Sequence, residues 1–327
     1  MNVYNKEEAI SRMNGLSKAD KSYIFIINYD QTQSYIEELS DIDANECRFY
    51  FRGKSNLINT VCDDNGTVEW DIFPESSVVY KSSYDRIQSN IYEGNSYLAN
   101  LTCRIPIKTN LGLEAIFHRS EAPYKLWIKN QLVCFSPETF VRINKQCIKS
   151  FPMKGTIDAT IPDAETVLMM NDKEAAEHAT IVDLIRNDLG VVATNIKVDR
   201  YRYVQHINTN KGPILQTSSE ISGMLPDNYP DHIGDILFSM LPAGSITGAP
   251  KKKTIDIISE AENYPRGFYT GIMGIYQNHS IDSAVMIRFI DQENSQLYFK
   301  AGGGITAKSK WRDEYNEIIQ KVYVPIF

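Results

Sequence analysis

The clearest indication of the fold class is the stretch KLWIKNQLVCFSPETFVRINKQCIKSF, residues 125–151. Its three runs, KLWIKN, QLVCFS and FVRINKQCIKSF, are rich in the β-branched and aromatic residues that strands prefer. Turn-like pairs separate the runs, which is typical of an antiparallel meander. We therefore expect antiparallel pairing throughout this part of the chain.

The segments on either side predict further strands and helices. Strand patterns occur at 22–30, 46–53, 96–107, 283–290 and 296–305. Helical patterns occur at 81–95, near 111–118, at 172–190, within 229–244 and 249–262, and at 310–322. Gly94 and Gly190 are placed to end two of these helices. Strands and helices alternate irregularly, so the sequence favours an α+β fold with large antiparallel sheets over a doubly wound one.

The bulk properties exclude several classes of protein. A length of 327 residues suits one large unit or two intertwined ones. A net charge of −7 argues against nucleic-acid binding, which needs a basic face. The apolar runs are only strand length, so no membrane span is predicted. The polar N-terminus carries both charge signs and does not look like a signal peptide.

The cysteines indicate the compartment. Their count is odd and no CxxC pair occurs, so we expect small buried side chains in a reducing environment, at Cys47, Cys62, Cys103, Cys134 and Cys147. The sequence therefore predicts a cytoplasmic protein.

Two pairs of glutamates form a candidate metal site. Glu174 and Glu177 lie three residues apart on one predicted helix, and Glu314 and Glu317 on another. Residues at this spacing share a helix face. Two facing carboxylate pairs, completed by water and an anionic substrate, would suit Mg²⁺. The alternative for each pair is a solvated helix face, where this spacing is common.

Three further features suggest anion binding. In KAGGGITAKS (300–309), glycines at the end of a predicted strand could let backbone N–H groups approach an anion, at Gly302, Gly303 and Gly304. In LPAGSITGAPKKK (241–253), Ser245 and Thr247 precede a helix start that could bind an anion. Arg288 interrupts the apolar run SAVMIRFI and needs a partner such as a carboxylate. The alternatives are a tight turn for the glycines, an ordinary helix cap for Ser245 and Thr247, and a structural ion pair for Arg288.

Lys154, in SFPMKGTIDAT (150–160), stands before a Gly-Thr pair. It is either a surface lysine at a strand end or a cation that faces a small anionic substrate. Together with the preceding features it indicates a pocket for a small polyanion beside a divalent cation. Lys154 is then a candidate nucleophile or base.

These residues carry a resemblance to a known family. DKEAAEHATIVDLIRNDLG, LPAGSITGAPK, RGFYTGIMGIY, MIRFI and AGGGITAKSKWRDEYNEI, with SPETF (136–140), resemble in order the motifs of the chorismate-utilising enzymes. This family includes anthranilate synthase component I, aminodeoxychorismate synthase component I, isochorismate synthase and salicylate synthase. The resemblance implies a single catalytic domain over 1–327, with an abbreviated N-terminal part (1–80) and a motif-bearing core (81–327). It also implies two large packed antiparallel sheets with outer helices.

The resemblance also implies roles for the site residues. Glu177 and Glu317 resemble direct Mg²⁺ ligands, and Glu174 and Glu314 resemble ligands that act through water. Arg288 and Tyr269 resemble substrate-contacting residues. The backbone of the three glycines, and that of Gly155 and Thr156, resembles the part of the site that holds a substrate carboxylate.

The residue at Lys154 indicates a branch of the family. Anthranilate synthases typically read P-I-A-G-T here and aminodeoxychorismate synthases P-I-K-G-T, whereas this chain reads PMKGT. By resemblance, Lys154 attacks C2 of chorismate and expels the C4 hydroxyl, and ammonia then expels the lysine. The product is 4-amino-4-deoxychorismate, a precursor of 4-aminobenzoate and folate. We expect burial or a nearby cation to lower the pKa of Lys154.

A second position supports this branch. Many relatives have a histidine in a segment H-L-x-S-x-x-x-G, tied in anthranilate synthase to pyruvate loss. Here Gln216 falls at that place, while His206 lies ten residues earlier. The chain shows no glutaminase motif, so a glutamine amidotransferase subunit or free ammonium would supply ammonia. The alternatives are anthranilate synthase component I, isochorismate synthase and a non-catalytic chorismate-binding subunit.

Overall fold

The computed structural model describes residues 1–57, 67–209 and 212–325, so Cys62 lies outside the described residues. The strands are β1 (Val3–Tyr4), β2 (Tyr23–Ile27), β3 (Ser34–Glu38), β4 (Cys47–Phe51), β5 (Lys54–Ser55), β6 (Trp70–Ile72), β7 (Leu98–Thr109), β8 (Tyr124–Ile128), β9 (Leu132–Ser136), β10 (Thr139–Asn144), β11 (Cys147–Ser150), β12 (Met153–Asp158), β13 (Thr194–Thr209), β14 (Gly212–Met224), β15 (Gly248–Ala249), β16 (Ile272–Gln277), β17 (Ser280–Val285), β18 (Phe289–Glu293) and β19 (Gln296–Thr306). The α-helices are α1 (Lys6–Lys18), α2 (Ser77–Tyr92), α3 (Leu113–Arg119), α4 (Ala164–Met169), α5 (Asp172–Gly190), α6 (Ile233–Met240), α7 (Lys251–Ala261) and α8 (Trp311–Gln320).

The strands form two sheets. The first sheet has the order β1-β3-β2-β16-β17-β10-β11-β14-β12, with β13 beside β14. The second sheet has the order β15-β7-β19-β18-β9-β8-β4-β5, with β6 beside β7. Neighbouring strands pair antiparallel in both sheets, for example β7 with β19 and β13 with β14. The predicted α+β fold with two large antiparallel sheets is therefore confirmed.

The hydrophobic core has three layers. Ile24 and Ile26 of β2 pack with Phe49 of β4 and Leu126 of β8 in the layer between the sheets. The alternate residues of β2 point to the other face, where α1, α5 and α6 cover the first sheet. Helices α2, α3, α7 and α8 cover the outer face of the second sheet. None of the helices among the described residues is long and apolar enough to span a membrane.

The predicted meander at 125–151 is wrong in its middle. β8 and β9 form a hairpin in the second sheet, but the chain then crosses at Pro137 and Glu138 into the first sheet. Pro137 has no N–H group with which to continue a ladder. The run FVRINKQCIKSF contains two strands, β10 and β11, joined at Lys145 and Gln146, which both have positive φ.

The predicted strand at 283–290 is also two strands. β17 belongs to the first sheet and β18 to the second, so the chain crosses between the sheets at 286–288. Arg288 lies in this crossing with φ 52°, in the left-handed region. The two crossings run side by side, because Val285 N donates to Glu138 O at 3.1 Å and Phe135 N to Arg288 O at 3.0 Å. Since β18 begins only at Phe289, it pairs with β19 no further than Lys300.

Candidate active site

Lys154 lies on β12, which among the described strands pairs on one side only, with β14 of the first sheet. It is opposite Thr217 of β14, and a bulge between Lys154 and Thr156 places Gly155 at φ 81°. The Lys154 amine is 2.9 Å from Glu177 Oε2, and a β-carbon at Gly304 of the second sheet would lie 3.8 Å from it. The side chain therefore spans from the edge of one sheet to the other, and it is 30% exposed.

The first glutamate pair lies at the start of α5. The Asn171 side chain caps this helix by accepting from Glu174 N at 3.1 Å. Glu177 faces Lys154, and a β-carbon at Gly155 would lie only 2.9 Å from Glu174 Oε2. Gly155 thus lets the Glu174 carboxylate rest against the bulge. Burial and the neighbouring Glu177 raise the pKa of Glu174.

The second glutamate pair lies on α8. Glu314 is 7% exposed, and its Oε2 would be 3.6 Å from a β-carbon at Gly303. Burial raises the pKa of Glu314. Burial also acts on Glu317, but the Lys321 amine, 2.7 Å away, outweighs it and lowers the pKa of Glu317.

The two pairs meet around Lys154. Burial acts to lower the pKa of Lys154, but the carboxylates of Glu177, Glu174 and Glu317 together raise it. The lowering of this pKa that burial alone would cause therefore does not occur in the chain without metal and substrate. The reason is electrostatic, because an ammonium beside several carboxylates is favoured over an amine.

The four glutamates supply the oxygen donors that Mg²⁺ prefers. They share one cleft, since Glu317 acts on the pKa of Glu174 and Lys154 acts on that of Glu314. Over residues 1–57, 67–209 and 212–325, however, no three His, Cys, Asp or Glu side chains are close enough together to hold a metal ion. The donor chemistry fits the ion, and substrate or water oxygens would complete its coordination.

The three glycines lie inside β19, not at its end. Gly302, Gly303 and Gly304 are opposite Thr102, Leu101 and Asn100 of β7. Their other edge is not paired with β18, which ends its pairing at Lys300. The Lys321 amine donates to Gly302 O at 3.0 Å from this side. An unpaired edge without side chains leaves backbone groups accessible to a ligand.

The helix predicted to begin near Pro250 is present as α7, but Ser245 and Thr247 do not form its start. Gly244–Ile246 is a 3₁₀ turn, β15 follows, and the N-cap of α7 is Pro250, without a side-chain cap. The Thr247 hydroxyl is fully buried and donates to Ala243 O at 2.8 Å. Ser245 instead donates to the Glu138 carboxylate.

Glu138 was not identified as a site residue from the sequence. Burial raises its pKa, while the Ser245 hydrogen bond and Lys154 oppose this. It therefore lies within electrostatic range of Lys154. The only sequence signal was its place in SPETF, where it reads as a turn residue next to Pro137.

Arg288 and Tyr269 lie close to each other. Tyr269 is 3% exposed, burial raises the pKa of its hydroxyl, and Arg288 opposes that shift. The Arg288 guanidinium is 5.4 Å from the Tyr323 ring centre. Arg288 also contributes to lowering the pKa of Lys321, so the two cations are near one another. Lys321 was missed in the sequence, although it follows Glu317 by one helical turn.

Gln216 is not directly opposite Lys154. It pairs with Thr156, while the Thr217 hydroxyl donates to the carbonyl of Lys154. Behind this pair, the buried His178 ring contacts Ser219 Oγ at 2.7 Å. This places the segment containing Gln216 beside the strand of the lysine.

Lys154 and the four glutamates thus lie together where the two antiparallel sheets approach each other. Comparison with known proteins gives the family. The profile of the chorismate binding enzymes matches residues 17–326. The chain belongs to this chorismate-binding enzyme family.

Individual relatives place the chain more finely. An uncharacterized PabA-like protein of Pasteurella multocida is 48% identical over 97% of this chain and 98% of its own length. Aminodeoxychorismate synthase component 1 of Escherichia coli is 31% identical over 92% of this chain and 68% of its own length. Anthranilate synthase component 1 of Acetivibrio thermocellus is also 31% identical, over 71% of this chain and 49% of its own length.

The fold has a counterpart among solved structures. The menaquinone-specific isochorismate synthase MenF of Escherichia coli superposes with a TM-score of 0.76 at 16% identity, over 98% of this chain and 82% of that one. At this identity the likeness concerns the fold alone. The named relatives therefore include different activities, and the site itself has to distinguish them.

Proposed function

We propose that this chain is an aminodeoxychorismate synthase component I, which converts chorismate and ammonia into 4-amino-4-deoxychorismate. The observation that carries the proposal is the Lys154 amine, which reaches from β12 to the glycine strand β19 in a cleft lined by carboxylates. An amine in this position can attack an anionic ring bound between the two sheets.

Two displacements would complete the reaction. Lys154 N bonds to C2 of the ring, the double bonds shift, and the C4–oxygen bond breaks. Ammonia then bonds to C4, the double bonds shift back, and the C2–lysine bond breaks. The departing hydroxyl needs a proton, and Glu138, whose pKa burial raises, is placed to hold one.

The substrate carries two carboxylates, and the cleft offers two cations beside the glycines. Lys321 touches Gly302 O, and Arg288 lies within electrostatic range of Lys321. We assign these two residues to the substrate carboxylates, with backbone groups of β19 and of Gly155–Thr156 as further donors. Tyr269 would line the pocket beside Arg288.

Mg²⁺ would be held by Glu177 and Glu317 directly and by Glu174 and Glu314 through water, and would supply Lewis-acid polarisation of a substrate carboxylate. Neutralisation of these carboxylate charges by the ion would also affect the pKa of the nucleophile, Lys154. If Mg²⁺ offset their charge, burial, which already acts to lower the pKa of Lys154, would shift this pKa towards the amine form.

The alternatives within the family place different demands on the site. Loss of pyruvate to give anthranilate needs a proton donor or acceptor, and the amide of Gln216 cannot serve near neutral pH. Isochorismate formation needs a base that activates water. The Lys154 amine is itself a group of that kind, so product identity is what distinguishes this alternative from the proposal. The intact set of Lys154, four glutamates and Arg288 argues against a non-catalytic subunit.

The ammonia would come from a separate glutamine amidotransferase subunit or from free ammonium. The free thiols of Cys47, Cys103 and Cys134 fit a reducing, cytoplasmic setting.

The test is product identity. Purified protein is incubated with chorismate, Mg²⁺ and ammonium at mildly alkaline pH. The products are separated by liquid chromatography and identified by their masses. We expect a product with amino in place of hydroxyl and the enolpyruvyl group retained. Lys154→Ala should lose at least about 100-fold in turnover, since a nucleophile is removed, while Lys18→Ala, exposed on α1, should not change it. Anthranilate with pyruvate, isochorismate, or normal turnover by Lys154→Ala would each contradict the proposal.

A further inference from the structure

Two of the four glutamates of the site, Glu177 and Glu317, are paired with ammonium groups of the chain. Glu177 contacts Lys154 through Oε2 at 2.9 Å and Lys173 through Oε1 at 3.8 Å. Glu317 contacts Lys321 through Oε1 at 2.7 Å. Lys173 and Lys154 also act on Glu314. Three lysines therefore serve as internal counter-ions to four glutamates.

The pairing of Glu177 bears directly on metal binding. A Mg²⁺ ligand must place an oxygen about 2.0–2.1 Å from the ion. The Lys154 ammonium, 2.9 Å from Glu177 Oε2, occupies one of the two oxygens through which this carboxylate would bind an ion. Both cations carry positive charge, so they also repel each other at this range.

We propose that the Lys154 ammonium is a resident cation that competes with Mg²⁺ for Glu177, so that the same side chain sets the metal affinity of the substrate-free enzyme. Binding of the ion displaces Lys154 from Glu177 and leaves its amine directed at Gly304 and the substrate. This inference rests on the proposed function for its metal and its nucleophile, but it concerns affinity and not turnover.

Two variants of Lys154 separate the effect of its charge on Mg²⁺ affinity from the effect of its side-chain shape. Lys154→Met removes the cation and keeps an unbranched side chain, whereas Lys154→Arg keeps the charge. We expect Lys154→Met to bind Mg²⁺ about tenfold or more tightly, because even screened repulsion between a single and a double charge at contact has at least that effect. Lys154→Arg should bind close to the wild-type value. Lys173→Met should have a smaller effect, because Lys173 is farther from Glu177 and 52% exposed.

The measurement is titration calorimetry of Mg²⁺ into protein without chorismate, so its outcome does not depend on any product. Lys18→Met, on the outer side of α1, is the control for net charge, and Glu177→Gln should abolish the binding if Glu177 is a ligand. Thermal unfolding with and without Mg²⁺ provides a second readout, since a tighter ion raises the midpoint more.

The outcomes are separable. Tighter binding by Lys154→Met but not by Lys154→Arg supports the inference, including the case in which binding is detected only in Lys154→Met. Equal behaviour of wild type and Lys154→Met, or weaker binding by Lys154→Met, overturns it. If the reaction assay gives no aminated product while Lys154→Met binds the ion more tightly, the proposed function fails and the competition stands.

Discussion

Replacement of Arg266 by methionine should destabilise the fold strongly. The Arg266 guanidinium is 2% exposed and makes a two-pronged pair with Glu262, at 2.8 Å from Nε and 2.7 Å from Nη2. It also donates to Ile246 O at 2.9 Å and to Asn100 O at 2.7 Å. It thus ties the turn of Ser245 and the strand opposite Gly304 to the end of α7.

The magnitude follows from what Arg266→Met leaves behind. Breaking one side of a buried ion pair costs about 3–5 kcal/mol. Glu262 keeps two hydrogen bonds from Thr102, which favours the lower end of this energy range. The carbonyls of Ile246 and Asn100, however, each lose the hydrogen bond from Arg266, which adds to the cost. We therefore expect a loss of about 4 kcal/mol. With an unfolding entropy of about 2.1 cal/mol/K per residue over 327 residues, the midpoint of thermal unfolding should fall by about 6 °C.

The assay is urea unfolding followed by circular dichroism, with a double-mutant cycle. Glu262→Gln in the Arg266→Met background should restore part of the loss, since no uncompensated charge then remains buried. Arg186→Met is the matched control, because its pair with Asp183 is 47% and 67% exposed and contributes about 1 kcal/mol or less. A loss below about 1 kcal/mol in Arg266→Met, or additive effects in the cycle, would refute the reasoning.

Two further predictions concern the site and the pH dependence of stability. Gly155→Ala and Gly94→Ala introduce similar strain, at φ 81° and 79°, and should each cost about 1 kcal/mol, but only at Gly155 does the added carbon meet a neighbour, Glu174 Oε2 at 2.9 Å. Mg²⁺ affinity and turnover should therefore fall in Gly155→Ala and not in Gly94→Ala, and equal behaviour of the two would show that the carboxylate position does not matter. Burial and Arg48 lower the pKa of His118, so the unfolded chain binds more protons, and stability should fall as the pH drops below about 6.5 through the lower folded pKa. His118→Gln should flatten this slope in unfolding experiments from pH 7 to 5, and an unchanged slope would exclude His118 as its source.

Much of the fold could be predicted from local patterns. The helix at 172–190 was predicted with the limits that α5 has, because its apolar spacing and Gly190 act within a few residues. The run 283–290 could not be read correctly, since an uninterrupted apolar pattern does not show where a chain leaves one sheet for another. The left-handed backbone of Arg288 has no sequence signature, because non-glycine residues adopt it only under tertiary constraint. Strands β13, β14 and β16 were not predicted at all.

The sequence identified those residues of the candidate site that lie three residues apart on one helix. The i, i+3 glutamates were found because two residues on one helix face need no tertiary information. Glu138 and Lys321 were missed, since each acquires its role only when elements distant in sequence come together. In the chain without a metal ion the pKa of Lys154 is raised and not lowered, because burial could be anticipated from the sequence but the number of surrounding carboxylates could not.

The two crossings between the sheets explain why the site lies where it does. Because the chain leaves the first sheet after Val285 and enters the second only at Phe289, β18 cannot cover β19 beyond Lys300. Among the described strands, β12 likewise pairs on one side only, with β14. Two uncovered edges therefore face the same cleft, and each carries glycine where a carboxylate from α5 or α8 approaches. Backbone N–H and C=O groups that would be paired in a regular sheet therefore remain free to bind an anion at these edges. Helices α5 and α8 supply the charged side chains around them. The glycines and the broken strand therefore act together, since a β-carbon at Gly304, 3.8 Å from the Lys154 amine, would fill the space between that amine and β19.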